Sequence, residues 1–134
     1  MRVAMDDKDN NERRRPKFKK VDKHSGIPAY VQVMNQVKTE VILGRLVPGD
    51  QLPPVRELET MFDVNVNTIL KALDKLKSEG VLSSEQGVGY FVTSNIAIES
   101  SIIDELGEFV RKIKNVGLDL YTTILLIEEV WKNE

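Results

Sequence analysis

Between Asn65 and Lys71 the chain reads NVNTILK, setting two carboxamides, a hydroxyl and an ammonium beside a valine and a leucine. Such groups make or break no covalent bond unaided. They suit recognition of hydrogen-bonding edges, methyl groups and anions. Groups that do bond-making chemistry are scarce. The single histidine, His24, has no partner pattern around it, and cysteine is absent. No phosphate-binding glycine loop, nucleophile motif or metal-ligand cluster occurs, and the GVG at 87–89 is too short to count as one. The acidic pairs Glu57/Glu59 and Glu128/Glu129 sit where solvated helix faces explain them. No enzyme, cofactor or metal is expected.

A helix must position the residues from 65 to 71. Ile69, Leu73 and Leu76 recur at helical steps with Ala72 between them, which marks one buried face. Asn65 suits the N-cap and Gly80 the left-handed residue beyond the C-terminus, with Val81 packing back across that end. Val66, Asn67, Leu70, Lys71 and Lys75 then fall on the opposite face, a mixed surface that no core requires.

The 134 residues allow one compact domain with a short appendage. Without cysteine there is no disulfide framework, which fits a reducing compartment. No run approaches the roughly 18 apolar residues of a membrane span, and the charged N-terminus is no secretory signal. A cytoplasmic protein without membrane contact is expected. The net charge of −2 hides an uneven distribution. Residues 13–23 hold seven Lys/Arg against Asp22 alone, while from Ile96 onward there are four basic and eight acidic residues. A basic front and an acidic rear suit presentation of one end to a polyanion, the bland alternative for the front being a solvated tail.

Residues 1–25 are polar and lack aliphatic periodicity, so a disordered basic arm is expected there. Tyr30, Val33/Met34, Val37 and Val41 mark a first helix that Gly44 stops. After the Pro48-Gly49 turn, Pro54 suits the first turn of a second helix carrying Val55, Leu58 and Met61/Phe62. Asp63 tolerates the left-handed backbone of a tight turn. Beyond Gly80, VLSS and YFVT flank EQGVG as a hairpin. Helix, helix, tight turn, helix, hairpin over residues 26–95 is a winged helix-turn-helix, mainly α with a small β-hairpin (α+β).

Residues 96–134 read as two helices. The first carries Ile102/Ile103, Leu106, Phe109/Val110 and Ile113 and breaks at NVG. Asp119 can cap the second. That last helix is apolar on two sides, with Leu120, Ile124, Ile127 and Trp131 on one and Tyr121, Leu125 and Val130 on the other. The first three can pack on the preceding domain, and the second set then needs a partner, most simply another copy of the chain. Leu106, Tyr121, Leu125, Val130 and Trp131 are the candidate dimerisation residues.

The stretch from Ile27 to Val92 closely resembles the DNA-binding domain of GntR-type bacterial transcription regulators. Three blocks carry the likeness: GRLxPGDxLPxxREL, VNxNTIxKAL, and LxxEGVL with its GxGYFV hairpin. The asparagine-rich start of the third helix and the short rear resemble the YtrA subfamily, whose members resemble repressors encoded beside ABC-transporter genes. The likeness implies a homodimeric repressor bound to a pseudo-palindromic DNA operator, and it names no effector. Four positions depart from the family pattern. Pro54 replaces a common serine, Asp63 a frequent glycine, Val66 a frequent base-reading arginine, and Gln86 a residue that is often basic.

In a winged helix-turn-helix the third helix enters the major groove. Asn65 and Asn67 then suit adenine, although Asn65 is also the cap. Val66 and Leu70 suit thymine methyls, and Lys71 phosphate or guanine. Thr68 can donate to the DNA backbone. By resemblance Arg56 contacts base or phosphate, the alternative being a salt bridge to Glu57 or Glu59. Gly87 and Gly89 let the wing approach the minor groove, or serve hairpin geometry, or both. A winged helix used only for protein contact is the competing reading, and the domain's acidic balance favours it. A ligand sensor ranks third, because two helices of about 15 residues enclose little volume.

Overall fold

In the computed structural model, residues 16–93 and 100–134 are described. They belong to two compact units, Met1–Ala97 and Ile98–Glu134. The first unit holds α1 (Ala29–Ile42), α2 (Val55–Phe62), α3 (Val66–Ser78), β1 (Leu82–Glu85) and β2 (Gly89–Val92); the second holds α4 (Ser100–Val116) and α5 (Leu120–Asn133).

Helix α1 buries Val33, Met34, Val37 and Val41. Gly44, at φ 74°, turns the chain at its end. The amides of Arg45 and Leu46 then both return to the Glu40 carbonyl. The buried Glu40 carboxylate is gripped through both oxygens, by Arg45 Nε at 3.0 Å and Nη2 at 2.9 Å. A buried charge needs such pairing, and this one has it.

Pro54 lies one position ahead of α2 as its cap residue, and its carbonyl accepts from the amides of Glu57 and Leu58. Leu58 and Phe62 are the buried positions of α2, which ends on Asp63 at φ 55°, ψ 53°. Two residues further on stands Asn65, the cap of α3. Ile69, Ala72, Leu73 and Leu76 are all 0% exposed, so the buried face is the expected one. Gly80 N donates to the Lys77 carbonyl and Val81 N to that of Leu76, the paired bonds of a left-handed glycine terminus.

The hairpin pairs Leu82 with Val92 through Glu85 with Gly89 around a three-residue loop. A third edge joins it. Gln51 bridges Phe91, and the amides of Gly49 and Leu52 donate to Val92 and Tyr90 carbonyls. The segment after Pro48-Gly49 therefore completes the wing sheet, which its turn signal alone did not announce. One core runs from Val21 through the three helices to Val92.

The leader departs from expectation. Residues 1–15 lie outside the described residues, but 16–25 form a strap against the domain and are not a disordered arm. Phe18 stacks on Phe62 with centroids 4.7 Å apart, and Val21 is buried with its amide on the Phe62 carbonyl (2.9 Å). Gln36 accepts from Lys19 N and donates to Lys19 O, and Gln32 does the same for Asp22. Two side-chain amides, four residues apart on α1, thus act as a sheet edge would. The apolar Phe18 and Val21, hidden among lysines, supply the burial that orders the segment.

In the rear unit, Asp119 caps α5 by accepting from Thr122 N at 2.7 Å. Both apolar sides of α5 are largely exposed. Leu120, Ile124 and Ile127 are 76%, 42% and 42% exposed, much as Leu125 is at 45%. Only Thr123 on this helix is buried. A single neighbouring helix cannot cover an apolar surface that runs around the cylinder.

Candidate nucleic-acid interface

The outer face of α3 begins at its cap. Asn65 Oδ1 accepts from Thr68 N (3.0 Å) and from Thr68 Oγ1 (3.1 Å). With both lone pairs engaged, Asn65 keeps only donors and cannot form the donor–acceptor pair that grips adenine. Thr68, expected to donate toward the DNA backbone, spends its proton on Asn65 instead. Asn67 carries no such commitment and is exposed, with both its donor and its acceptor open. Val66 and Leu70 flank it at 40% and 37% exposure, each a large apolar group held toward solvent by a helix whose other side is closed.

Lys71 is exposed but not free-swinging. Its Nζ lies over the Tyr30 ring, 4.1 Å from the centroid, and Lys75 lies over the same ring at 5.6 Å. Asp74, the sole carboxylate of α3, acts elsewhere. Burial first, and then the Asp74 charge, push the Tyr90 hydroxyl on β2 above its ordinary pKa. Arg56 is exposed on α2 and, among the described residues, pairs with neither Glu57 nor Glu59. It lines a cleft of about 410 Å³ with Pro16, Pro53, Glu57, Thr60 and Met61.

Both wing glycines answer to backbone geometry. Gly87 has φ 78° with open space around it. Gly89 has φ 142°, and a Cβ there would stand 2.8 Å from Gln51 Nε2. That amide donates to the Val88 carbonyl at 2.9 Å, so Gln51 latches the hairpin tip, and a side chain at Gly89 would have to push the latch aside. The tip carries Glu85, Gln86 and a 55%-exposed Val88, and no cation. The latch at Gln51 and the place of Tyr30 beneath two lysines escaped the sequence reading, since their partners lie far off in the chain.

In the rear unit the candidate dimerisation residues are all exposed: Leu106, Tyr121, Leu125, Val130 and Trp131. Val130 and Trp131 line an apolar groove of about 740 Å³ together with Phe109, Ile113, Leu126 and Ile127. The other three stand outside it. Among the described residues no helix is long and apolar enough to cross a membrane.

The pattern of the bacterial regulatory proteins of the gntR family matches residues 29–92. The HTH-type transcriptional repressor YtrA of Bacillus subtilis (strain 168) is 39% identical over 75 residues, 56% of this chain and 58% of that protein. This chain therefore spans little more than half of that repressor's length. The HTH-type transcriptional regulator YhcF of the same organism is 31% identical over 99 residues, covering 70% of this chain and 82% of that one. Among solved structures, AraR(DBD) in complex with operator ORX1 aligns with a TM-score of 0.53 at 32% identity, over 57% of this chain and 98% of that chain. YtrA from Sulfolobus acidocaldarius, a GntR-family transcription factor, aligns with a TM-score of 0.53 at 31% identity, over 69% and 96%. With the winged helix-turn-helix in place and the likeness running along most of YhcF, the chain belongs to the GntR family.

Proposed function

We propose that the chain is a transcription repressor that binds a pseudo-palindromic DNA operator as a homodimer, without catalysis, in the cytoplasm. The observation that carries the reading is the outer face of α3, where Val66, Asn67, Leu70 and Lys71 stand exposed, with Arg56 exposed on α2. Amide, methyl-seeking aliphatics and cations are what a base edge and its flanking phosphates ask for. AraR(DBD) is solved on its operator, and the repressor YtrA shares 39% identity over the matched segment; both support the assignment. Control of transporter genes follows from the same resemblance. Arg13, Arg14 and Arg15, outside the described residues, add phosphate contacts in this reading, so removing residues 1–15 should weaken binding to every sequence and flatten its salt dependence.

The apolar surface of α4 and α5 supports the dimer. A second copy covers Leu106, Tyr121, Leu125, Val130 and Trp131, and places two α3 helices on half-sites about one helical turn apart. One observation favours the competing protein-contact reading, the cation-free tip of the wing. Selection of bound sites from random duplex, followed by titration against salt, decides between them. A recovered palindrome with a steep salt slope supports repression at an operator; no enrichment and a flat slope would overturn it.

A further inference from the structure

Tyr30 stands in the first turn of α1, a helix whose cap residue, Pro28, offers no side-chain bond. Over its ring lie two ammonium groups from α3, one helical turn apart: Lys71 at 4.1 Å and Lys75 at 5.6 Å from the centroid. Gathering like charges is unfavourable unless something offsets them. A carboxylate is the usual remedy, yet among the described residues no carboxylate pairs with either lysine. The negative face of the ring offsets part of the repulsion. The uncapped amides at the start of α1 add to the same positive field. What the arrangement still lacks is an anion.

We infer that Tyr30, Lys71 and Lys75 form a phosphate clamp on the α1 side of the recognition helix, with Tyr30 as the residue that positions both lysines. The inference rests on the DNA-binding reading and narrows it. Lys71, open by its residue type to either guanine or phosphate, is drawn toward α1 and away from the first turn of α3, where Val66 and Asn67 stand. It is therefore an affinity contact, blind to sequence. Reading is left to Asn67, Val66 and Leu70. A ring under an ammonium also limits its wandering, so less side-chain freedom is lost when phosphate arrives.

The test compares the parent with Tyr30→Leu, Tyr30→Phe, Lys71→Ala and the Tyr30→Leu/Lys71→Ala double variant, on the selected operator and on random duplex across a salt series. Tyr30→Leu should lose about threefold to tenfold on both duplexes, and Lys71→Ala should lower the salt slope by about one. Tyr30→Phe keeps the ring and should stay within about twofold of the parent. The double variant should lose less than the product of the two single losses, because the Lys71 share is already gone and only the Lys75 share remains. Thermal unfolding of each variant separates lost affinity from lost fold. In the free proteins, the ring-current shift of the Lys71 ε-protons should vanish in Tyr30→Leu and persist in Tyr30→Phe. A parent that binds no duplex removes the DNA function and the clamp together. A parent that binds while Tyr30→Leu loses nothing, or losses that multiply in the double variant, removes the clamp alone. So does a Lys71→Ala variant that changes preference at one base pair.

Discussion

Helices α3 and α5 are of nearly equal length, 13 and 14 residues, and treat solvent in opposite ways. The buried face of α3 is fully closed, and the surface left outside is mixed in chemistry. Helix α5 buries Thr123 alone and leaves Leu120, Tyr121, Ile124, Leu125, Leu126, Ile127, Val130 and Trp131 exposed. The outer surface of α3 offers charges and amides, whose attraction to a polyanion fades as salt rises. The girdle on α5 offers apolar area, whose burial is nearly indifferent to moderate salt. In the function proposed above, one helix meets a partner reversibly and by pattern, and the other meets a partner by area.

The sharpest way to break that contrast is Leu125→Asp. Placed twice in a two-fold interface, the carboxylate should weaken dimerisation by at least about 3 kcal/mol. Leu125 is 45% exposed, so the single chain should still fold. Sedimentation and operator binding on the same sample check this, and a variant that stays dimeric and binds a full site normally would refute the role given to α5. Next in size, Arg56→Ala should cost roughly 1–3 kcal/mol of operator binding while the melting temperature stays put. Binding equal to the parent would move Arg56 off the interface. Phe18→Ala tests the strap, and should lower the stability of the front unit by about 1–2 kcal/mol through the lost contact with Phe62. Unchanged denaturant midpoints would mean that the strap merely rests on the surface.

The smallest effect is a titration. The Thr122 amide, and then its side chain, hold the Asp119 carboxyl below its ordinary value of 3.8. A lowered folded-state pKa means that the cap stabilises α5 above the unfolded value and is lost as pH falls through the folded one. Between pH 5 and pH 2 the parent's rear helices should lose helicity faster than those of Asp119→Asn, which caps without titrating. Superimposable acid profiles for the two would count against the cap.

What could be read in advance was local. The stripes of α1 to α3, the caps at Asn65 and Asp119, the left-handed Asp63 and the glycine terminus at Gly80 each depend on residues within a turn or two, and each stands in the structure where the spacing put it. Contacts between distant residues were not legible. Nothing near Phe18 announces Phe62, nothing near Lys19 announces Gln36, and Gln51 meets Gly89 only after the chain has folded back. The strap was missed for that reason, since seven cations among eleven residues mask two apolar side chains that find a groove made by other segments. The same distance hid the place of Tyr30 beneath two lysines. For α5, periodicity tells which sides are apolar and says nothing of which side a neighbour takes.

Asp63 has a consequence beyond its backbone. It is the only non-glycine residue at positive φ among the described residues, in a turn where glycine would serve without charge. Supplying that geometry with aspartate sets a fixed negative charge two residues ahead of the cap of α3, at the threshold of the surface proposed above to meet phosphates. Lys23 of the strap stands 3.4 Å from it, with both side chains more than half exposed, and so mutes the charge without cancelling it. Under the proposed DNA-binding function, the turn throttles polyanion affinity, with the strap as its setting. Lys23→Gln should leave the fold intact and shift the salt midpoint of DNA release downward, whereas Asp63→Gly should shift it upward. If neither substitution moves that midpoint, the charge at the turn plays no part in release.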